Sequence, residues 1–94
     1  RAATAAQMRA WAADGDMWVR RAAILHQLGR REATDTGLLA GIIRANLGSG
    51  DFFIDKAIGW ALREYSKTDP GWVRGFLTEH EVSALTRREG SKYL

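Results

Sequence analysis

The chain contains no cysteine, a single proline and only two histidines among its 94 residues. Without cysteine there is neither a disulfide framework nor a thiolate metal site. His26 and His80 stand alone, with no HxxxH or HxxE pairing around either. A metal enzyme is therefore not expected. β-Branched residues are scarce while alanine, leucine, arginine and glycine dominate, a balance that favours helices over strands. No apolar run approaches the roughly 20 residues that a membrane span needs, and no signal peptide is visible, so a cytoplasmic protein with no membrane partner is expected. What is present is a mildly basic surface, with a formal net charge of +3 and an isoelectric point near 9.8. That balance is compatible with nucleic acid, but many solvated helical surfaces share it.

The length fits one small domain or a piece of a larger one. A chain this short buries about 60 to 65% of its surface, which leaves its stability alone marginal. It begins at Arg1 in what reads as mid-helix. The expectation is a single all-helical unit, residues 1–94, that forms the C-terminal fragment of a larger repeat domain and lacks half of its active site.

Caps and apolar periodicity predict six helices and an all-α fold. The first runs from about Thr4 to Ala13, and Asp16 caps a second that continues to Leu28 or Gly29. Thr34 or Asp35 opens a third, which ends at the Gly48-Ser49-Gly50 turn. Asp51 caps the fourth and longest, Phe52 to about Lys67. Asp69 followed by Pro70 is an N-cap with proline at the first helical position. Thr86-Arg87-Arg88-Glu89 reads as a capping box opening the sixth.

These helices pair, and the pairs repeat. Trp18-Val19-Arg20-Arg21-Ala22-Ala23 lines up with Phe53-Ile54-Asp55-Lys56-Ala57-Ile58, 35 residues on, and Leu85-Thr86-Arg87-Arg88 is a weaker third copy 32 residues later. A helix-pair period of this size points to an α-solenoid of about three HEAT-like pairs, which stack and expose an extended concave surface. The competing arrangement is a plain antiparallel bundle whose repeat is accidental.

Around the second helix, Met17, Trp18, Ala22, Ile24, Leu25 and Leu28 share one arc, and Arg21 falls inside it. A guanidinium there needs a partner, because leaving it buried and unpaired costs several kcal/mol. Two readings stand side by side: an internal ion pair, with Glu64 as the candidate partner, or a groove in which Arg21 holds a phosphate bidentately. On the fourth helix Phe53, Ile54, Ala57, Ile58, Ala61 and Tyr65 form the expected core face. Beside it, within about 80°, lie Phe52, Lys56, Trp60, Arg63 and Lys67. Cations interleaved with rings suit a nucleic-acid groove, where charges neutralise phosphates and rings contact sugars or bases. Trp60 can equally be a boundary core residue edged by snorkelling lysines. That second reading weakens because Arg21, Lys56 and Arg88 recur at matching repeat positions, which stacking would align as a ladder. Trp11 and Trp72 read as core. Asp14, Asp16, Asp35, Asp51 and Asp69 read as capping residues, and Arg30-Arg31 as a solvated helix end.

Three stretches carry a family likeness: Trp18 to Leu28 (WVRRAAILHQL), Asp51 to Thr68 (DFFIDKAIGWALREYSKT) and Leu85 to Lys92 (LTRREGSK). Together they resemble motifs of the AlkD-like DNA alkylation repair glycosylases. In the last stretch an alanine usually follows the glutamate, and Gly90 is expected to loosen that helix slightly. The resemblance covers nearly the whole chain but only the C-terminal part of the family's fold. It implies HEAT-like repeats that bind duplex DNA in a concave basic cleft, as a monomer, and excise N3- and N7-alkylated purines without metal or cofactor. It implies that Arg21 contacts the backbone in the cleft, that Trp60 lines it against the deoxyribose of the lesion, and that Arg63 and Lys67 contact DNA. The family's catalytic aspartate and a second cleft tryptophan belong to an earlier helix, which nothing here matches. This stretch alone is accordingly expected to be inactive. The alternative from another class is a non-enzymatic HEAT-like scaffold that binds a protein or nucleic acid on its concave face.

Overall fold

The computed structural model describes residues 3–94; the expectation that Arg1 stands within a helix lies outside them. Short polar side chains start every helix. The Thr4 hydroxyl accepts the Gln7 N–H at 3.1 Å and the Gln7 side chain accepts the Thr4 N–H at 2.9 Å, a complete capping box before α1 (Ala5–Ala12). Aspartates cap the next four helices: Asp16 for α2 (Met17–Leu25), Asp35 for α3 (Thr36–Arg44), Asp51 for α4 (Phe52–Ser66) and Asp69 for α5 (Pro70–Glu79). Each carboxylate accepts a backbone N–H of the first turn that would otherwise lack a partner. α6 (Ala84–Gly90) completes six α-helices, with a 3₁₀ turn at Arg31–Ala33 and no strand among the described residues.

Three helix ends differ from the sequence expectation, one of them that of α3, which stops at Arg44, short of the Gly48-Ser49-Gly50 turn. α2 stops at Leu25, and the next residues form tighter turns, as in the Leu28 N–H donating to Leu25 O at 3.0 Å. The start of α6 is a correction. Ser83, not Thr86, is its cap, and its hydroxyl accepts the Thr86 N–H at 3.0 Å. Thr86 lies inside the helix, buried, and donates its own hydroxyl to Asp55 O at 2.8 Å across to α4.

The helices form two layers. α2, α4 and α6 pack side by side, while α1 packs on α2 and α3, and α5 on α4 and α6. In chain order α1/α2, α3/α4 and α5/α6 are consistent with successive HEAT-like repeats, although α3 packs on α1 and α2 more than on α4. The 18 Å short dimension of the molecule fits two helix layers about 8–10 Å apart. α4 is the centre of the core: Ile54, Ile58 and Leu62 are fully enclosed, together with Ile24, Ile42, Ile43 and Val73. Asn46 fastens α3 to the first repeat, donating to Ala12 O and Ile42 O at 3.0 Å each.

Small residues let α6 approach α4 closely. A Cβ at Gly59 would come 2.7 Å from Glu89 Cβ, and one at Gly90 would come 3.2 Å from Leu62 Cβ. Gly90, where the resemblance has alanine, lets α6 seat closely against Leu62 of α4 and is the last residue of that helix.

Three aromatic expectations resolve differently. Trp72 is half-buried against the core as expected, between Tyr65 at 5.5 Å and Phe76 at 5.5 Å. Trp11 is nearly half exposed, and so is Phe53, which was expected on the core face of α4. Phe53 stands in the first turn of α4, where its ring leans toward α2 instead of inward.

Candidate nucleic-acid interface

α2 and α4 are built alike at their N-termini. Asp16 accepts the Trp18 N–H at 2.8 Å, and Asp51 accepts the Phe53 N–H at 2.8 Å. Each cap is followed by an aromatic two residues on and a cation five residues on: Trp18 and Arg21 in α2, Phe53 and Lys56 in α4. Because the two helices lie side by side, the matching positions meet, with Trp18 and Phe53 ring centroids 5.2 Å apart. α4 turns one edge to α6 through Asp55, Gly59 and Leu62. Its stripe of Phe52, Lys56, Trp60, Arg63 and Lys67 occupies the open face between that edge and α2.

Trp60 is 39% exposed on this stripe, so its ring is not a core residue. Lys56 is exposed, with its ammonium 5.9 Å from the Phe52 ring centroid. Arg21 is half-buried and its guanidinium carbon lies 6.0 Å from the Trp18 ring centroid. Its Nε is enclosed and has no acceptor among the described residues. Glu64 does not supply one: its carboxylate meets Lys67 at 3.2 Å. Arg21 thus retains a donor fork with no carboxylate opposite it, the arrangement that suits an incoming anion.

The remaining cations differ in how free they are. Arg63 pairs with Glu89 at 3.2 Å, both about one-quarter exposed. Lys67, besides Glu64, lies 5.4 Å from the Tyr93 ring centroid. Arg88 is exposed on α6 and makes no ion pair among the described residues. The structure therefore brings Arg21 and Lys56 together with an aromatic cluster, leaves Arg88 free on the neighbouring helix, and holds Arg63 and Lys67 in internal pairs.

Sequence reasoning missed Trp18 and Phe53 as members of this face. The signal was available, because the 35-residue repeat places them at equivalent positions of helices that stacking makes neighbours. Among the described residues no group of three or more histidine, aspartate or glutamate side chains could hold a metal ion. No helix among the described residues is long and apolar enough to cross a membrane.

Comparison with known proteins bears on what this face serves. The solved structure of a predicted DNA alkylation repair enzyme from Enterococcus faecalis superposes with a TM-score of 0.86 at 42% sequence identity. The match covers 95% of this chain and 44% of that one, so the chain spans less than half the length of its structural relative. No curated protein matches. The model of the DNA alkylation repair enzyme family matches residues 1–94, the whole of the sequence, and the chain belongs to that family.

Proposed function

We propose that the chain is the C-terminal part of a DNA glycosylase that removes N3- and N7-alkylated purines, and that its α2/α4/α6 face grips the duplex. The observation that carries this reading is Arg21, half-buried beside Trp18 on a basic, ring-rich face and without an ion-pair partner among the described residues. Arg21 holds a backbone phosphate, and Trp60 packs against the deoxyribose of the lesion. Lys56, Arg63, Lys67 and Arg88 neutralise phosphates along the strand, Arg63 and Lys67 by exchanging their internal carboxylates for DNA. Alkylation at N3 or N7 gives the purine a positive charge and makes it a good leaving group. Hydrolysis of the N-glycosidic bond then develops oxocarbenium character on the sugar, which a carboxylate beside it stabilises. No residue of this chain matches the aspartate that the family resemblance implies, so that carboxylate is expected from a part of the protein outside this chain.

Two measurements test the reading. Titration of a labelled duplex at two salt concentrations is expected to give weak, sequence-independent binding that falls with salt, as phosphates recover their counterions. Binding that is absent at low salt, or indifferent to salt, contradicts the groove. DNA carrying 7-methylguanine is expected to release no base above the spontaneous rate with this chain alone, whereas a protein that includes the upstream repeats releases it. Clear release by the chain alone would transfer the carboxylate's work to Glu64.

A further inference from the structure

The outer layer of the molecule is broken between α3 and α5. α3 packs on α1 and α2, α5 packs on α4 and α6, and a groove of about 390 Å³ lies between the two helices. Buried Phe76 lines its base. Its walls follow one pattern: Gly37, Ala40 and Arg44 from α3, and Gly71, Gly75 and Glu79 from α5. Those spacings put each trio on one helix face. Each wall is small, small, then charged, and the two charges are opposite. A hydrogen bond from Arg44 Nε to His80 Nε2 at 3.0 Å ties the helices at this charged end. Neither Arg44 nor Glu79 joins an ion pair among the described residues, although both stand exposed beside the same groove. Gly75 lies mid-helix, where glycine weakens a helix relative to alanine. Gly59 and Gly90 sit against α6 and α4, but a Cβ at Gly75 would meet nothing within 4 Å. Packing inside the chain does not call for glycine there, whereas an occupant of the groove does.

The walls identify the occupant. Both are helices, whose backbone groups bond within their own turns, so they offer no free edge to an extended peptide. A third helix satisfies its own backbone and needs only a close approach, which small wall residues allow. α3 and α5 have nine and ten residues, so at 1.5 Å per residue the groove is about 14 Å long and takes about two and a half turns. We infer that it docks an amphipathic helix of a partner protein, with apolar side chains at i, i+3 or i+4, and i+7 entering over Gly75 toward Phe76. A carboxylate along one edge of that stripe meets Arg44, and a cation along the other edge meets Glu79. The opposite charges of the two walls thereby fix the direction in which the helix lies. The groove belongs to the α1/α3/α5 layer, so this inference stands apart from the reading that DNA lies on the α2/α4/α6 face.

The probe is a library of helical peptides with randomised apolar residues at those positions, glutamates along one edge and lysines along the other. Selection against the parent chain is expected to enrich peptides that Gly75→Met binds on the order of ten-fold more weakly, because the added side chain fills the groove. Gly75→Met should melt no lower than the parent, since its Cβ enters open space and methionine favours a helix. It should bind duplex DNA as the parent does. Arg44→Glu and Glu79→Lys change exposed side chains and read the groove even if Gly75→Met folds poorly. Each should weaken the selected peptides, and a peptide with its glutamates and lysines exchanged should regain affinity for the chain carrying both reversals. No enrichment overturns the inference, as do binders indifferent to Gly75→Met and to both charge reversals. A parent dimer in sedimentation equilibrium that Gly75→Met dissociates makes the occupant a second copy and overturns the partner helix. Loss of duplex binding by Gly75→Met with an unchanged melt assigns the groove to DNA and overturns it likewise.

Discussion

α4 meets its two neighbours in opposite ways. Toward α6 it offers Gly59, Leu62 and Asp55, and the helices close until a single added Cβ would collide. Toward α2 it offers Phe53, with Phe52 beside it, and large rings meet there while half in water. One helix thus has a closed edge that holds the repeats together and an open edge where aromatic area is left unburied. Burial of apolar surface stabilises a fold by about 25 cal/mol per Å², and a chain of this length has little to spare. Rings withheld from the core are therefore better explained by a partner than by packing. The comparison also separates two kinds of residue, those whose loss unfolds the chain and those whose loss silences it.

The largest expected effect belongs to the closed edge. Leu62 is fully buried and packs beside Gly90 of α6. Leu62→Ala is expected to destabilise the chain by about 2–5 kcal/mol through lost burial and the cavity left behind. For a domain of this size each kcal/mol lowers the melting temperature by roughly 4–8 °C, so a thermal melt reads the effect directly. The protein that remains folded should bind DNA normally. A small shift in melting with a large loss of binding would reverse the assignment of the two edges.

Next come Arg21→Ala and Trp60→Ala on the open face. Each is expected to weaken DNA binding, or base excision in a longer form of the protein, by about 1–3 kcal/mol. Stability should change little. Trp60 is 39% exposed, so its truncation opens no enclosed cavity. Arg21 has no ion-pair partner among the described residues, so its removal strands no buried carboxylate. Had Glu64 paired with it, truncation would leave a partner uncompensated at about 3–5 kcal/mol. Melting temperature and binding measured on the same variants decide the matter: a collapsed melt with normal binding would place both residues in the fold.

The sequence read well wherever structure follows from neighbours along the chain. Asp16, Asp35, Asp51 and Asp69 each cap the helix that follows, because a short carboxylate before an amphipathic stretch satisfies N–H groups only a few residues away. The side-by-side placement of α2 and α4 was legible too, because the 35-residue repeat makes them equivalent helices. The exposed stripe on α4 was also legible, since helical periodicity decides which residues share a face. Periodicity does not decide how closely a neighbouring helix approaches that face, and Phe53 was misplaced on that account. Thr86 was misread as a cap because its true hydrogen-bond partner, Asp55 O, lies 31 residues away. The internal partners of Arg63 and Lys67 were missed likewise, though Glu64 and Lys67 at i,i+3 on one helix were within reach of sequence reasoning.

Arg63 stands on the border between the two edges, and its pair with Glu89 sharpens the comparison. Both side chains are 27% exposed, so solvent screens the pair, and Glu89→Gln is expected to cost only about 0.2–1 kcal/mol of stability. The same change frees Arg63 toward the open face. Duplex affinity should rise and its salt slope should steepen by about one phosphate. An unchanged slope would mean that Arg63 serves the seam alone.

The smallest expected effect lies at the closed edge, where a charge stands among packed groups. Burial pushes the Asp55 carboxyl above its ordinary value of 3.8, the hydrogen bond from Ser83 pulls it back down, and nearby Asp51 raises it further. A carboxyl whose pKa is raised by folding binds its proton more tightly in the folded chain than in the unfolded one. Its contribution to stability therefore declines as pH rises through the window just above 3.8, and at neutral pH the ionised group weakens the fold. Asp55→Asn removes that charge and keeps an acceptor for Ser83. Opposing this, Asp55 lies in the first turn of α4, where the helix dipole favours a negative charge by about 0.3–1 kcal/mol. The two effects nearly offset, and a net gain of about 0.5 kcal/mol or less is expected at pH 7. The gain should vanish as the pH falls toward the ordinary carboxyl value, where the native carboxyl is protonated as well. Melting curves of both proteins at neutral and acid pH measure the difference. If the asparagine variant is instead less stable at pH 7, the Ser83 hydrogen bond and the dipole outweigh desolvation, and this charge helps to fasten the seam with α6.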